Sequence, residues 1–443
     1  MSYTNISGTD TANTLLGTSG ADSIVAKEGD DTVILGTAID NDYVDLGVGN
    51  DQVQFIIDGT SSSIHGAAGN DSLFLTVGLT SSTLSGGSGN DTLSLTSTAY
   101  TNWLQGGSGD DTILAAKGMN GGTIWGGDSS STSTDGDDSI FVDGTASAAY
   151  IQGNGGNDSI LVDETKNATV YGGQGNDTLT LTSHFSSGTL GGAKGKDTLL
   201  FGGDIKGGAS IYGGSVFDTS DDGADSLSFG SSITSGWVNG NGGNDTINLN
   251  TQNVFRSSVY GGQGNDFISG IVGAGSYSYS TIAGSLGNDT LLLESTNTLQ
   301  NSNIWGGHAS GTTAGADSIS IAAITIQTST ITGSAGSDTL FIGSSYTGKF
   351  LSSSIGSGAG GDYYSGSGSL LSTTINAGAG DDTLWLNHSG STVNVAGYMY
   401  AGTGNDTLAS AGIWGGTVYA DDSASDTAGG NDSLSFGAVS AAS

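Results

Sequence analysis

The sequence predicts an all-β protein, a parallel β-solenoid with about 20 residues and two strands in each coil. Three observations carry that expectation: an aspartate recurring at a near-fixed step, a glycine-rich turn ahead of it, and polar–apolar alternation after it. The unit is plainest at Gly86-Gly87-Ser88-Gly89-Asn90-Asp91-Thr92-Leu93-Ser94-Leu95. Its glycines reach backbone conformations closed to other residues, so the turn can be tight and aim its carbonyls inward. Thr92-Leu93-Ser94-Leu95 then has the period of a strand with one buried face.

The aspartate returns at Asp31, Asp51, Asp71, Asp91, Asp111, Asp138, Asp158, Asp177 and Asp197, and again at Asp225, Asp245, Asp266, Asp289, Asp317, Asp338, Asp382, Asp406 and Asp432. Asp362 reads as a degenerate member. A first repeat-like turn, Gly17-Thr18-Ser19-Gly20-Ala21-Asp22, stands nine residues before Asp31. Each coil carries a second apolar segment in its other half, as in Ser63-Ile64-His65-Gly66, Trp103-Leu104-Gln105-Gly106 and Val259-Tyr260-Gly261. A coil therefore runs turn, strand, loop, strand, with Leu, Ile and Val ladders between two facing parallel sheets. Such a core is one side chain thick. No helix signal appears.

A length of 443 residues would ordinarily suggest about three domains. The repeat overrides that expectation and predicts one continuous solenoid over residues 1–443. Proline is absent, as expected where nearly every backbone N–H is needed for a ladder, and absent cysteine excludes disulfides. Formal charge is −35, from 43 acids against 8 bases. That excludes nucleic acid and anionic membrane as partners and favours cations. No apolar run approaches the roughly 18 residues of a membrane span, and Met1 to Asp10 lacks the charge and apolar stretch of a signal peptide.

Four steps are lengthened by insertions between the Gly-Gly position and the aspartate, at 127–137, 214–224, 307–316 and 420–431. Two readings stand for them: a contact surface along one edge, or tolerated loop growth.

The unit Gly-Gly-x-Gly-Asn-Asp-Thr-Leu-x-Leu resembles the RTX (repeats-in-toxin) calcium-binding nonapeptide, closely at 86–95, 172–181 and 261–268. The resemblance extends over nearly the whole chain. It implies an RTX-like β-roll in which turns on successive coils share Ca²⁺, through the carboxylates of the eighteen aspartates from Asp31 to Asp432 named above, Asp362 excepted. It also implies backbone carbonyls of Gly49, Gly69, Gly87, Gly89, Gly107, Gly109, Gly173, Gly175, Gly262, Gly264, Gly402 and Gly404 as ligands. The chemistry agrees, since Ca²⁺ takes six to eight oxygens from carboxylates and carbonyls in a flexible cage. A regular roll carries the motif on both halves of each coil, whereas here the other half holds Ser/Thr-rich loops such as Thr96 to Asn102. One row of ions along one edge is therefore expected. Some 17 or 18 ions would bring roughly +34 to +36, close to the formal charge. Without them, carboxylates about 4.8 Å apart would repel by roughly 3.5 kcal/mol per neighbouring pair at an effective dielectric near 20. The expectation is a chain that folds on binding calcium. The competing reading is a metal-free β-helix whose Asn and Asp side chains merely bond the turn backbone.

The resemblance further implies type I secretion from a Gram-negative bacterium to the extracellular space or cell surface, with residues 432–443 as an uncleaved C-terminal signal. No catalytic constellation stands out. His65, His184, His308 and His388 are scattered, and neither a His-Glu-x-x-His helix nor a Gly-x-Ser-x-Gly elbow occurs. Ice binding would call for a Thr row at the x of Gly-Gly-x-Gly, which instead reads Val48, Ala68, Ser88, Ser108 and Gln174. The functional expectation is a structural protein that stacks head to tail with copies of itself into a filament, matrix fibre or surface layer. The alternative is an adhesin or carbohydrate-binding module. Trp103, Trp125, Trp237, Trp305, Trp385 and Trp414 are expected to fill the core or cover its ends.

Overall fold

The computed structural model describes residues 3–436 apart from 37–38, 56–57, 77, 129–134, 216–221, 251–252, 273–274, 296–297, 308–314, 324, 344–348, 387–395, 411–416 and 422–429. The described residues form strands and turns and no helix. They divide into two compact units, Met1–Gly223 and Ala224–Ser443, each a parallel β-solenoid.

In the first unit, one coil contributes Thr83–Ser88, Thr92–Leu95 and Ala99–Tyr100. These pair in parallel with Trp103–Ser108, Thr112–Ala115 and Met119–Asn120 of the next coil, setting Leu84 opposite Leu104 and Leu93 opposite Ile113. In the second unit, Trp237–Gly242, Thr246–Asn248 and Asn253–Phe255 pair in the same way with Ser258–Gln263, Phe267–Val272 and Ser276–Ser278. Each coil thus has a third, short strand that the two-strand expectation lacked. It lies inside the Ser/Thr-rich loop, where Leu79 and Ala99 are fully buried. Two residues are too few to show a period, which is why the sequence read as loop there.

In-register stacking turns single apolar positions into ladders. Leu84, Leu104 and Ile124 on one strand and Leu73, Leu93 and Ile113 on another are all fully buried. Val238, Val259 and Ile282, with Ile247, Ile268 and Leu291, do the same in the second unit. Each such side chain contributes about 1.5–3 kcal/mol.

The tryptophans are not core, contrary to expectation. Trp103, Trp237 and Trp385 are 41%, 40% and 46% exposed. They occupy outward positions flanking buried aliphatics, and a core one side chain thick has no room to turn them in. Trp414, His308 and His388 lie outside the described residues, as do most of the four inserted segments and residues 437–443 of the predicted C-terminal signal.

Two edges border each solenoid. One carries the Gly-Asn-Asp turns. At the other, a residue takes the left-handed conformation and is in most coils not glycine, as at Ser61, Ser81 and Thr101 (φ 54°, 52° and 49°) or Ser235, Arg256 and Tyr279 (φ 56°, 49° and 54°). Asp22 belongs to this second edge: its N–H donates to Asp42 Oδ1, and Asp42 N–H donates to Ser62 Oγ. The nine-residue step from Asp22 to Asp31 is therefore half a coil, from one edge to the other.

Candidate metal centre

Each aspartate of the repeat ends a tight turn and opens a strand, so its backbone N–H points along the coil stack with no partner in its own coil. The next coil's aspartate supplies one. Asp71 N–H donates to Asp91 Oδ1 at 2.7 Å, Asp91 N–H to Asp111 Oδ1 at 2.7 Å, and the chain of bonds runs from Asp31 to Asp197. In the second unit it runs from Asp225 to Asp432. From Asp31 to Asp406 these residues are at most 3% exposed, whereas Asp432 is half-buried.

This use of Oδ1 leaves the second carboxylate oxygen over. Oδ2 of Asp31, Asp51, Asp71, Asp91, Asp111, Asp138, Asp158 and Asp177 is buried with no hydrogen-bond partner. The same holds for Asp266, Asp289, Asp317, Asp338, Asp362, Asp382 and Asp406. Burying an unpaired carboxylate oxygen is costly, and the cost shows in the titration. Burial pushes Asp51 and Asp91 up to about 6, Asp71 and Asp158 to about 7, Asp111 and Asp177 to about 8, and Asp138 to about 9. The N–H bond from the preceding coil pulls the other way, and neighbouring carboxylates add to the rise at Asp71, Asp111, Asp138 and Asp177. In the second unit burial raises Asp266, Asp338 and Asp382 to about 7 and Asp317 to about 8.

In most coils Oδ2 faces a gap beside a glycine five residues earlier, although buried Ala26, Leu46, Ser357, Ala377 and Ala401 hold that position at Asp31, Asp51, Asp362, Asp382 and Asp406. A Cβ on Gly66 would collide with Asp71 Oδ2 of its own turn and with the Gly86 carbonyl of the next coil. Gly106, Gly172, Gly192, Gly240 and Gly261 show the same two oxygens, from Asp111 and Gly126, Asp177 and Gly192, Asp197 and Gly213, Asp245 and Gly261, and Asp266 and Gly284. Glycine is required here by close approach. At Gly89 (φ 116°), one turn further on, it is required by conformation. The predicted carbonyl donors take a different place. The carbonyls of Gly49, Gly69, Gly87, Gly89, Gly173, Gly175, Gly262, Gly264, Gly402 and Gly404 belong to the later turn positions, where the oxygen of one rung, such as Gly69 or Gly89, lies at the spot a Cβ on the next rung's glycine would occupy. The carbonyls of the first glycines, Gly66, Gly86, Gly106 and Gly172, are not among the donors the resemblance implies.

The residue before each aspartate forms a second ladder of opposite sense. Asn70 N–H donates back to Asn50 Oδ1 and Asn90 N–H to Asn70 Oδ1, each at 2.8 Å, and Asn265, Asn288 and Ala316 continue it in the second unit. Where the Asn-Asp pair is present, it ties a coil to the one before and the one after.

Asp362 is a full member, not a degenerate one. It accepts from Asp338 N–H at 2.7 Å and donates to Asp382 at 2.8 Å. Its turn, Gly360-Gly361-Asp362, has Gly361 at the exposed asparagine position and buried Ser357 where most coils have their first glycine. The described part of the first insertion returns a further carboxylate to this edge: Asp135 lies against Gly127 and accepts from Gly155 N–H at 2.9 Å. Burial raises it to about 6.

Among the described residues no three His, Cys, Asp or Glu side chains converge in one cage. Any cation on this edge is held by one or two carboxylates and completed by backbone carbonyls, a donor set that suits hard, oxygen-seeking Ca²⁺. The orphaned Oδ2 atoms beside the first-glycine carbonyls fit that ion. A model of the RTX calcium-binding nonapeptide repeat (4 copies) matches residues 7–40, 76–96, 96–118, 165–181, 237–253, 256–277 and 367–387. The chain carries RTX calcium-binding nonapeptide repeats. Each matched stretch from 76–96 onward contains one aspartate of the buried row: Asp91, Asp111, Asp177, Asp245, Asp266 and Asp382. Among curated proteins none matches it. A solved structure, a hyperactive, Ca²⁺-dependent, β-helical antifreeze protein from an Antarctic bacterium, is similar to it at 18% identity and a TM-score of 0.42, covering 74% of this chain and 83% of that one.

Proposed function

We propose that the protein is a secreted structural RTX solenoid, folded by a single row of calcium ions on its aspartate edge and stacked with copies of itself into an extracellular fibre or layer. The row of buried, unpartnered Oδ2 atoms carries this reading. In it, Oδ2 of each aspartate and the carbonyls of the neighbouring glycine turns hold the ions, and bound calcium supplies the positive charge that a −35 chain lacks. RTX repeats are typical of secreted, extracellular proteins. Export through a type I route, with the signal at 432–443, is the route this reading takes, and it has no catalytic step.

Self-assembly is supported by the equivalence of the rungs. Coils bind their successors with a repeated set of groups, an aspartate N–H donated forward along the row and, in many coils, an Asn-type N–H donated back. An equivalent coil from a second copy would need no new kind of contact, and such a heterologous contact does not close on itself. The test is calorimetric calcium titration of the chelator-stripped chain, followed by negative-stain imaging with and without calcium. Many ions per chain and calcium-dependent filaments or sheets are expected. Fewer than a handful of ions, or full strand content in chelator at pH 9, would sink the calcium row. Monodisperse particles in millimolar calcium would sink the assembly alone.

A further inference from the structure

The outward face of the long strand in the second unit is polar and aromatic. Its two columns, read coil by coil, are Trp237, Ser258, Thr281, Asn303, Thr330, Ser354, Thr374 and, beside them, Asn239, Tyr260, Ala283, Trp305, Thr332, Gly356, Asn376. No charged residue and no large aliphatic residue occurs in either column. Every side chain is aromatic, hydroxyl, amide or very small.

Within this face a groove of about 290 Å³ is lined by Trp237, Asn239, Tyr260, Ala283, Ser285 and Trp305. Its origin is one small residue. Tyr260, Ala283 and Trp305 occupy the same column on three successive coils, so the Ala283 methyl, itself 1% exposed, forms a floor between two aromatic walls. Trp237 packs on Tyr260 with ring centroids 4.8 Å apart and extends that wall. Tyr260 and Trp305 stand two coils, about 9.5 Å, apart. The first unit offers a contrast in Tyr171, Gly191 and Tyr212, also consecutive in one column. There the Tyr171 ring lies against the Gly191 backbone, near enough to meet an added Cβ at 3.1 Å.

We propose that the groove binds a neutral glycan, a chain of hexose rings with equatorial hydroxyls such as a β-linked glucan. Such a ring has an apolar C–H face that stacks on Trp and Tyr, and a hydroxyl rim that meets Asn239 and Ser285. Protein-binding patches are built differently, with Arg, Met and aliphatic residues among their aromatics. The lining offers no Lys or Arg to pair with the carboxylates of an acidic polysaccharide. This goes beyond the calcium-folded scaffold and would give it an attachment point.

The experiment is isothermal titration of the calcium-loaded full chain with cellohexaose, with tryptophan fluorescence as a second readout. Saturable binding at millimolar sugar or below is expected. Trp305→Ala and Trp237→Ala weaken it about tenfold or more, Trp305→Phe largely retains it, and Trp385→Ala, on a different strand, leaves it unchanged. Circular dichroism of each variant in calcium confirms the fold and keeps this test separate from that of the calcium row. No saturable signal, equal binding of an oligogalacturonate, or the same loss in Trp385→Ala overturns the proposal. So does self-association of the chain that Trp305→Ala abolishes, since the face would then be a protein contact.

Discussion

The two edges of each solenoid solve one problem with different side chains. At both, a corner leaves a backbone N–H pointing along the stack, and a side-chain oxygen from the next coil receives it. On the aspartate edge that oxygen is Oδ1, as from Asp91 N–H to Asp111 at 2.7 Å. On the opposite edge of the second unit it is a hydroxyl: Ser257 N–H donates to Ser280 Oγ at 3.2 Å, and Ser280 N–H to Ser302 Oγ at 3.1 Å. The serine then closes its own account, since Ser280 Oγ–H donates to the carbonyls of Val254 and Ser278. The aspartate cannot, because its second oxygen has nothing to accept and the carboxylate carries a charge into a buried place. Serine completes a backbone; aspartate completes it and leaves a charged oxygen for something else. Under the proposed function, the aspartate edge is the one that takes calcium, and the serine edge needs no ion.

The largest test of that difference is pH in the absence of calcium. Aspartate titrates near 3.8 in the unfolded chain, and the folded values reach about 8 at Asp111, Asp177 and Asp317 and about 9 at Asp138. A folded pKa above the unfolded one gives stability that is fully present below about 4 and lost as pH rises through the folded values. In chelator, strand content by circular dichroism should therefore be present near pH 3–4 and gone by pH 9. Calcium should reverse the trend, because protons then compete with the ion. A chelated chain equally folded at pH 4 and 9 would erase the distinction between the edges.

Asp91→Asn sharpens it further, since the amide retains an Oδ1 acceptor for Asp71 N–H and removes only the charge. In calcium it should lower stability by about 3–5 kcal/mol, the cost of leaving a buried ion without its counter-charge. It should also lower the bound-calcium count by mass spectrometry or atomic emission. In chelator at pH 8 the same variant should be more stable than the parent. One sign in both conditions would break the argument.

Gly86→Ala probes the cradle with no change of charge. Gly86 is not held at positive φ, so the added methyl acts only by meeting the Asp91 carboxylate. A loss of about 1–3 kcal/mol and a higher calcium midpoint are expected, read by calcium titration of the circular dichroism signal. Ser280→Ala is the control on the other edge. It strands Ser257 N–H and should cost about 1–2 kcal/mol in urea unfolding, with calcium stoichiometry untouched. A fall in bound calcium in that variant would mean the edges are not separate.

Much of this was legible in the chain. The period of the aspartates announced stacked coils, and the aliphatic ladders at Leu84, Leu104 and Ile124 followed from alternation alone. The buried row itself was read residue by residue. Asp362 was undervalued because its missing asparagine looked like a missing motif, although that position is exposed and the cradle is not. The serine ladder went unseen because Ser62, Ser82 and Ser257 sit among many other serines, and nothing local marks the one that turns inward.

The sequence by itself determined the coil, the edge that carries the carboxylates and the kind of ion they suit, because each is a property of one repeat viewed against the next. Only the tertiary structure decided which carboxylate oxygen is spent on the backbone, which glycines make room for the other, and that the tryptophans face outward around a groove. Those depend on distances between residues some 20 positions apart, and such distances exist only once the coils have stacked.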